Sequence, residues 1–221
     1  MKGLSMHPVS RSLLSVLILP LLLSFAGFAA AATPEELIRP IQDQWAEIKY
    51  RQPEKQQADL YHALAQQVHK IVEANPASAE ALIWEGIVVS SEAGAKGGLG
   101  ALSLAKEAKL RFEEALKIND KALAGSAYTS LATLYAQVPG WPVGFGNKDK
   151  AEELFKKSLV INPTGIDANF FYGEYLLGRD RHAEARTHLE AALKAPPRPG
   201  RELADSGRKQ EIQALLAKLN K

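Results

Sequence analysis

Three stretches decide the fold: KEAKLRFEEALKIND at 106–120, DKAEELFKKSLVINP at 149–163 and AEARTHLEAALKAPP at 183–197. Laid over one another, they share a small residue, a large apolar residue four later, a small residue three later, and then leucine. The sets are Ala108/Phe112/Ala115/Leu116, Ala151/Phe155/Ser158/Leu159 and Ala185/Leu189/Ala192/Leu193. Such spacings place each set on one stripe of a helix. Small residues let two helix backbones approach, and large neighbours fill the space beside the crossing. Each stretch therefore reads as the second helix of a pair. Its partner precedes it: ALIWEGIVVSSEA, SAYTSLATLYAQ or DANFFYGEYLLG, with Gly86, Ala132 and Gly173 at the close approach.

A helix pair recurring in this way resembles the tetratricopeptide repeat (TPR), whose unit is 34 residues. The copy at 166–199 fits that length without gaps, with twelve residues from Gly173 to Ala185. The same distance is 19 from Ala132 to Ala151 and 22 from Gly86 to Ala108. Insertions of seven and ten residues therefore sit at the turns of the first two copies: VPGWPVGFG in the second and GAKGGLGALS in the first. Equivalent turns of a stacked array map to one face, so the two insertions should be neighbours. The repeats fall at about 79–122, 125–165 and 166–199.

Both flanks are also helical in pattern. Thr33 reads as an N-cap with Pro34 at the first helical position and Glu36 completing a capping box. Leu37, Ile41, Trp45 and Ile48 share one face, with Pro40 inside the pattern. A second helix runs from about Glu54 to Glu73. Leu203, Ile212, Leu215, Leu216 and Leu219 mark a capping helix at 201–220, which a solenoid needs at its end.

The first 32 residues differ: Lys2 and Arg11 are their only charges, an almost wholly apolar run follows, and Ala29 to Ala32 supply small residues. This is the pattern of a signal peptide; the alternative is an uncleaved anchor in the inner membrane, facing the periplasm. Without those two cations the basic residues fall from 27 to 25, equal to the acidic ones. No clustered basic footprint for nucleic acid is left. The chain has no cysteine, which excludes disulfides, thiolate metal sites and cysteine nucleophiles.

The second repeat with its insertion, the segment INPTGIDANFFYGEYLL and the tail APPRPGRELADSGRKQEIQALL together resemble a bacterial group of exported TPR proteins. That group is similar to the T-component proteins of TRAP-type transporters. The resemblance implies a periplasmic helical scaffold that binds a partner protein or an apolar ligand and carries no known chemistry. Family members are often tethered by a lipidated cysteine, and this chain has none.

Catalytic motifs are lacking. GAKGGLGALSLAKEAK has glycines before a helix, but no strand precedes them and neither G-x-G-x-x-G nor G-K-[ST] is completed. His62 and His69 are two turns apart, and His188 lies four after Glu184. Two ligands fall short of the three or four a zinc site needs, so no metal or cofactor is expected.

Binding surfaces are better supported. First helices line the concave groove in repeats of this type, which assigns Ile83, Ile87, Ser90, Thr129, Thr133, Phe170 and Glu174 to it, with Glu80 and Asp167. None of these is Lys or Arg, so the groove should be apolar to mildly acidic. Trp141 and Phe145 lie in a Gly/Pro loop and are candidate recognition anchors. The sequence thus predicts an all-α, right-handed α-solenoid of TPR helix pairs with a C-terminal cap. Its expected function is that of a non-enzymatic periplasmic scaffold binding a protein or peptide. The alternative is a carrier of a small apolar ligand, with the two inserted loops roofing a cavity.

Overall fold

In the computed structural model, which describes Gly3 and residues 33–219, Thr33 starts the first helix with the expected capping box. Its hydroxyl accepts from the Glu36 amide at 3.2 Å, and its own amide donates to Glu36 Oε2 at 2.7 Å. The export segment or anchor expected over 1–32 lies outside the described residues. Among those residues there are nine α-helices: α1 (Pro34–Arg51), α2 (Glu54–Ala74), α3 (Ala79–Lys96), α4 (Gly98–Ile118), α5 (Ser126–Gln137), α6 (Lys148–Ile161), α7 (Ile166–Leu177), α8 (His182–Leu193) and α9 (Glu202–Leu219). A 3-10 turn, Ala122–Gly125, leads into α5. No strand occurs among the described residues. α1 runs unbroken through Pro40.

The repeated small and large positions carry the packing. Ala108, Phe112, Ala115, Ala151, Phe155, Ser158, Ala185, Leu189 and Ala192 are all buried, none more than 1% exposed. Opposite them stand the small residues of the preceding helix. A Cβ at Gly86 would lie 2.5 Å from the Phe112 ring, and one at Gly173 would lie 2.9 Å from Leu189 Cγ. Ser158 occupies a site that is alanine in the other two copies. Its hydroxyl is satisfied by Thr129 Oγ1 at 2.5 Å, as a buried polar group requires.

The insertions take different forms. The ten residues of the first are not a loop: they lengthen α3 and α4, which turn at Gly97 with φ of 62°. Of the glycines there, only Gly97 and Gly98, both at the turn, have positive φ; Gly94 and Gly100 lie within the helices. The second insertion is a loop folded on itself, with Gly146 N donating to Pro139 O and Asn147 N to Tyr135 O, both at 2.9 Å. Gly146 has no room for a side chain, because a Cβ would run into the Val138 carbonyl. The two insertions do meet, since a Cβ at Gly144 would stand 3.3 Å from Leu102 Cδ1.

Consecutive helices pack in order, and the last returns to the first. Tyr50 of α1 lies against Gly207 of α9, so closely that a Cβ there would meet the ring. Lys49 Nζ stands 3.5 Å from Glu211 Oε1, and the Arg39 guanidinium donates to the carbonyls of Pro199 and Gly200 at 3.1 and 2.9 Å. The path of contacts therefore closes, leaving an interior.

We expect Gly86→Ala to lower stability by about 1–3 kcal/mol through overpacking against Phe112. Two turns on, Gly94→Ala meets nothing within 4 Å and should raise stability by up to about 1 kcal/mol. Urea denaturation of the two variants reads both.

Candidate functional site

The interior is a cavity of about 1200 Å³. α1 supplies Trp45 and Tyr50, α2 Tyr61, α3 Trp84, Ile87, Ser90 and Ser91, α5 Ser130 and Thr133, and α7 Asp167 and Phe171. The segment after α8 closes it with Arg198, Arg201 and Arg208. Its aromatic side is held rigidly: Trp45 stands edge-on to both Trp84 and Tyr50 with centroids 6.1 Å apart, and its Nε1 donates to Ser91 Oγ at 2.8 Å. Tyr61 is buried, and its hydroxyl finds no partner among the described residues. Burial holds that phenol above its ordinary pKa.

The polar side is organised around Asp167. Arg198 reaches one carboxylate oxygen at 2.6 Å and Arg208 the other at 2.9 Å. Arg198 also pairs with Asp205 and Arg208 with Glu211, each at 2.6 Å. The Arg208 guanidinium lies against Phe170 and Phe171, 4.3 and 4.6 Å from their centroids. Desolvation alone would raise the Asp167 pKa, but the charges of Arg208 and Arg198 outweigh it and hold the carboxyl well below the usual range. Arg201 is different. It makes no ion pair among the described residues and lies over the Trp84 ring, 4.9 Å from its centroid.

Of the residues assigned to the groove from sequence, Ile87, Ser90, Thr129 and Thr133 line the cavity, as does Asp167. Thr129 presents little to it, being buried with its hydroxyl on Ser158. Ile83 and Phe170 are core instead. Ile83 is buried in the core that also holds Ile38, Ile41 and Trp45 of α1, and Phe170 in the one that holds Ile212 of α9, with the Arg208 guanidinium over its ring. Glu174 is exposed and outside the lining; desolvation nevertheless raises its pKa, against the pull of Arg208. The expectation of an apolar to mildly acidic groove is corrected: Arg39, Lys49, Arg198, Arg201 and Arg208 all line it. Four of them come from the flanks, which the repeat pattern does not cover, and Arg198 from the last residues of the third repeat.

Loop and histidine readings resolve as follows. Phe145 packs back on Tyr135, edge-on at 5.5 Å, whereas Trp141 is 90% exposed. No residue of 138–147 lines the cavity, so its roof is built by α1 and the C-terminal segment rather than by that loop. His62 Nδ1 meets Glu92 at 3.0 Å and His69 Nδ1 meets Glu85 at 2.7 Å, two rungs between α2 and α3. Glu85 is buried and also ion-pairs with Arg111 at 2.7 Å. His188 is hydrogen-bonded to Asn169 and Glu184 to Arg181. Among the described residues no group of three or more potential ligands is placed to hold a metal. No described helix is long and apolar enough to cross a membrane.

Compared with known proteins, the chain matches no family model, and no curated protein matches it.

Asp167→Asn leaves two guanidinium groups short of their carboxylate, and we expect a loss of about 2–4 kcal/mol at pH 7, discounted for the partial exposure of the site. Because the folded pKa is depressed, this contribution is complete above the unfolded value of about 4 and is lost as pH falls towards the folded one. The gap between parent and variant should hold from pH 5 to 8 and narrow below about 4. Urea melts across that range check it.

Proposed function

We propose that this is an exported, non-catalytic binding protein of TPR-like helical-repeat architecture, and that it takes its ligand in the interior cavity. One observation carries the reading: α1 and α9 close the array around a space of about 1200 Å³ with a fixed aromatic side. Ligand sites are concave, mostly apolar and lined by a few placed polar groups, commonly 300–1000 Å³ in volume. A space slightly above that range suits an elongated small molecule. The T-component-like resemblance agrees with a periplasmic carrier, and the signal-like start agrees with export.

A neutral apolar probe tests this without reference to charge. N-phenyl-1-naphthylamine should bind the purified protein with a rise in fluorescence, and Ser130→Trp, which places bulk in the cavity, should weaken binding about tenfold or more. Unchanged binding in Ser130→Trp, with the variant's fold checked by circular dichroism, would reject the cavity as the site.

Trp141 favours a second reading, a protein partner at the outer loop. Its indole is 90% exposed, Val143 beside it is 63% exposed, and Phe145 anchors the loop beneath them. Burying such a side chain at an interface is worth about 2–3 kcal/mol. Affinity capture from envelope extract, parent beside Trp141→Ala, tests it: a discrete protein lost by the variant supports the loop, and identical retention rejects it.

A further inference from the structure

The cavity wall carries five cations, and four are committed. Arg198 and Arg208 bind Asp167 and flanking acids, Lys49 faces Glu211, and Arg39 donates to two carbonyls. Among the described residues Arg201 makes no direct ion pair: its guanidinium lies on the face of Trp84, and the carboxylates of Asp167, Asp205 and Asp43 act on it only from farther off. A guanidinium drawn partly out of water is costly without an anion, and stacking on an indole recovers only part of that cost. Stacking leaves the N–H edge free, the edge that grips a carboxylate in a two-pronged hydrogen bond.

We propose, resting on the cavity reading above, that the site takes an organic monocarboxylate with an apolar body, its carboxylate on Arg201 and its body against Trp45, Trp84 and Ile87. A single charge fits the inventory. Arg198, Arg208 and Lys49 already face acids, and Glu35, Glu36 and Glu54 line the same cavity and repel a second negative charge. Dianionic phosphate is disfavoured for the same reason. Tyr61, buried in this wall with a hydroxyl unpartnered among the described residues, offers a further polar contact to a bound oxygen.

Matched probes separate this from the cavity reading itself. Decanoate and 1-decanol differ in charge but share one chain, and binding to the purified protein is measured by calorimetry. Trp141→Phe serves as a fluorescence background, so that Trp45 and Trp84 report. The expected result is decanoate tighter than decanol by about tenfold or more. Arg201→Gln should abolish that preference while keeping decanol affinity, and Arg201→Lys should retain part of it. Equal binding of the two probes, or a preference that survives Arg201→Gln, overturns the carboxylate assignment but leaves the cavity in place. Failure of decanoate to bind where N-phenyl-1-naphthylamine does overturns it as well, as does binding of only a peptide with a free C-terminus.

Discussion

Closure of the array depends on the contact between its two ends. Consecutive helices pack in order from α1 to α9; here α9 also returns to α1, and a cavity lies between them and the faces of α3, α5 and α7. The join is steric and polar together. Gly207 lets Tyr50 lie flat on α9, and the Tyr50 hydroxyl donates to Glu211 at 3.3 Å. Arg39 ties α1 to the carbonyls just before α9 begins. Remove the small residue at 207 and the ring of Tyr50 has to move, which opens the wall it forms.

Asp167 fixes the other side of the same wall. It lies in the first turn of α7, where the helix N-terminus already favours a negative charge. Two arginines from the C-terminal segment converge on it, and each is held by a second acid. Arginines at a cavity edge are expensive to desolvate, so a network in which each guanidinium meets more than one carboxylate is the arrangement that tolerates them. Against this background Arg201 stands apart: among the described residues it alone of the wall's cations makes neither an ion pair nor a side-chain hydrogen bond, and carboxylates act on it only from farther off.

Much of the fold was legible because packing writes a periodic signal. The small, large, small spacing at 108, 112 and 115 and its two counterparts named residues that are buried, and it placed Gly86 and Gly173 at the crossings. The site was less legible, for a physical reason. The repeat assigns a face to each first helix, but which part of that face stays open depends on what the flanks cover, and flanks obey no repeat. Ile83 and Phe170 were misplaced by the same omission, one buried in a core shared with α1 and the other in a core shared with α9. The arginines were missed because charges at the end of the last repeat and after it look like an ordinary solvated tail. A weak signal was present: Arg198, Arg201 and Arg208 recur at spacings of three and seven, which puts the last two on one face of the cap. Orientation of the loop aromatics could not be read from composition. Phe145 has Tyr135 within reach, and Trp141 has nothing.

Unequal insertions at equivalent turns now have unequal consequences. The first adds helix rather than loop, and helix can only extend what the pair already does. α3 grows past Ser91, and Gly94 and Ala95 carry the cavity wall further along the array. The second adds a loop that glycines allow to fold tightly on itself, with Val138 and Phe145 packed against the core and Trp141 and Val143 left exposed. One insertion therefore deepens an interior surface while the other builds an exterior one. Leu102 beside Gly144 joins them, so the loop is seated on the start of α4, the helix paired with the one that lengthens the wall.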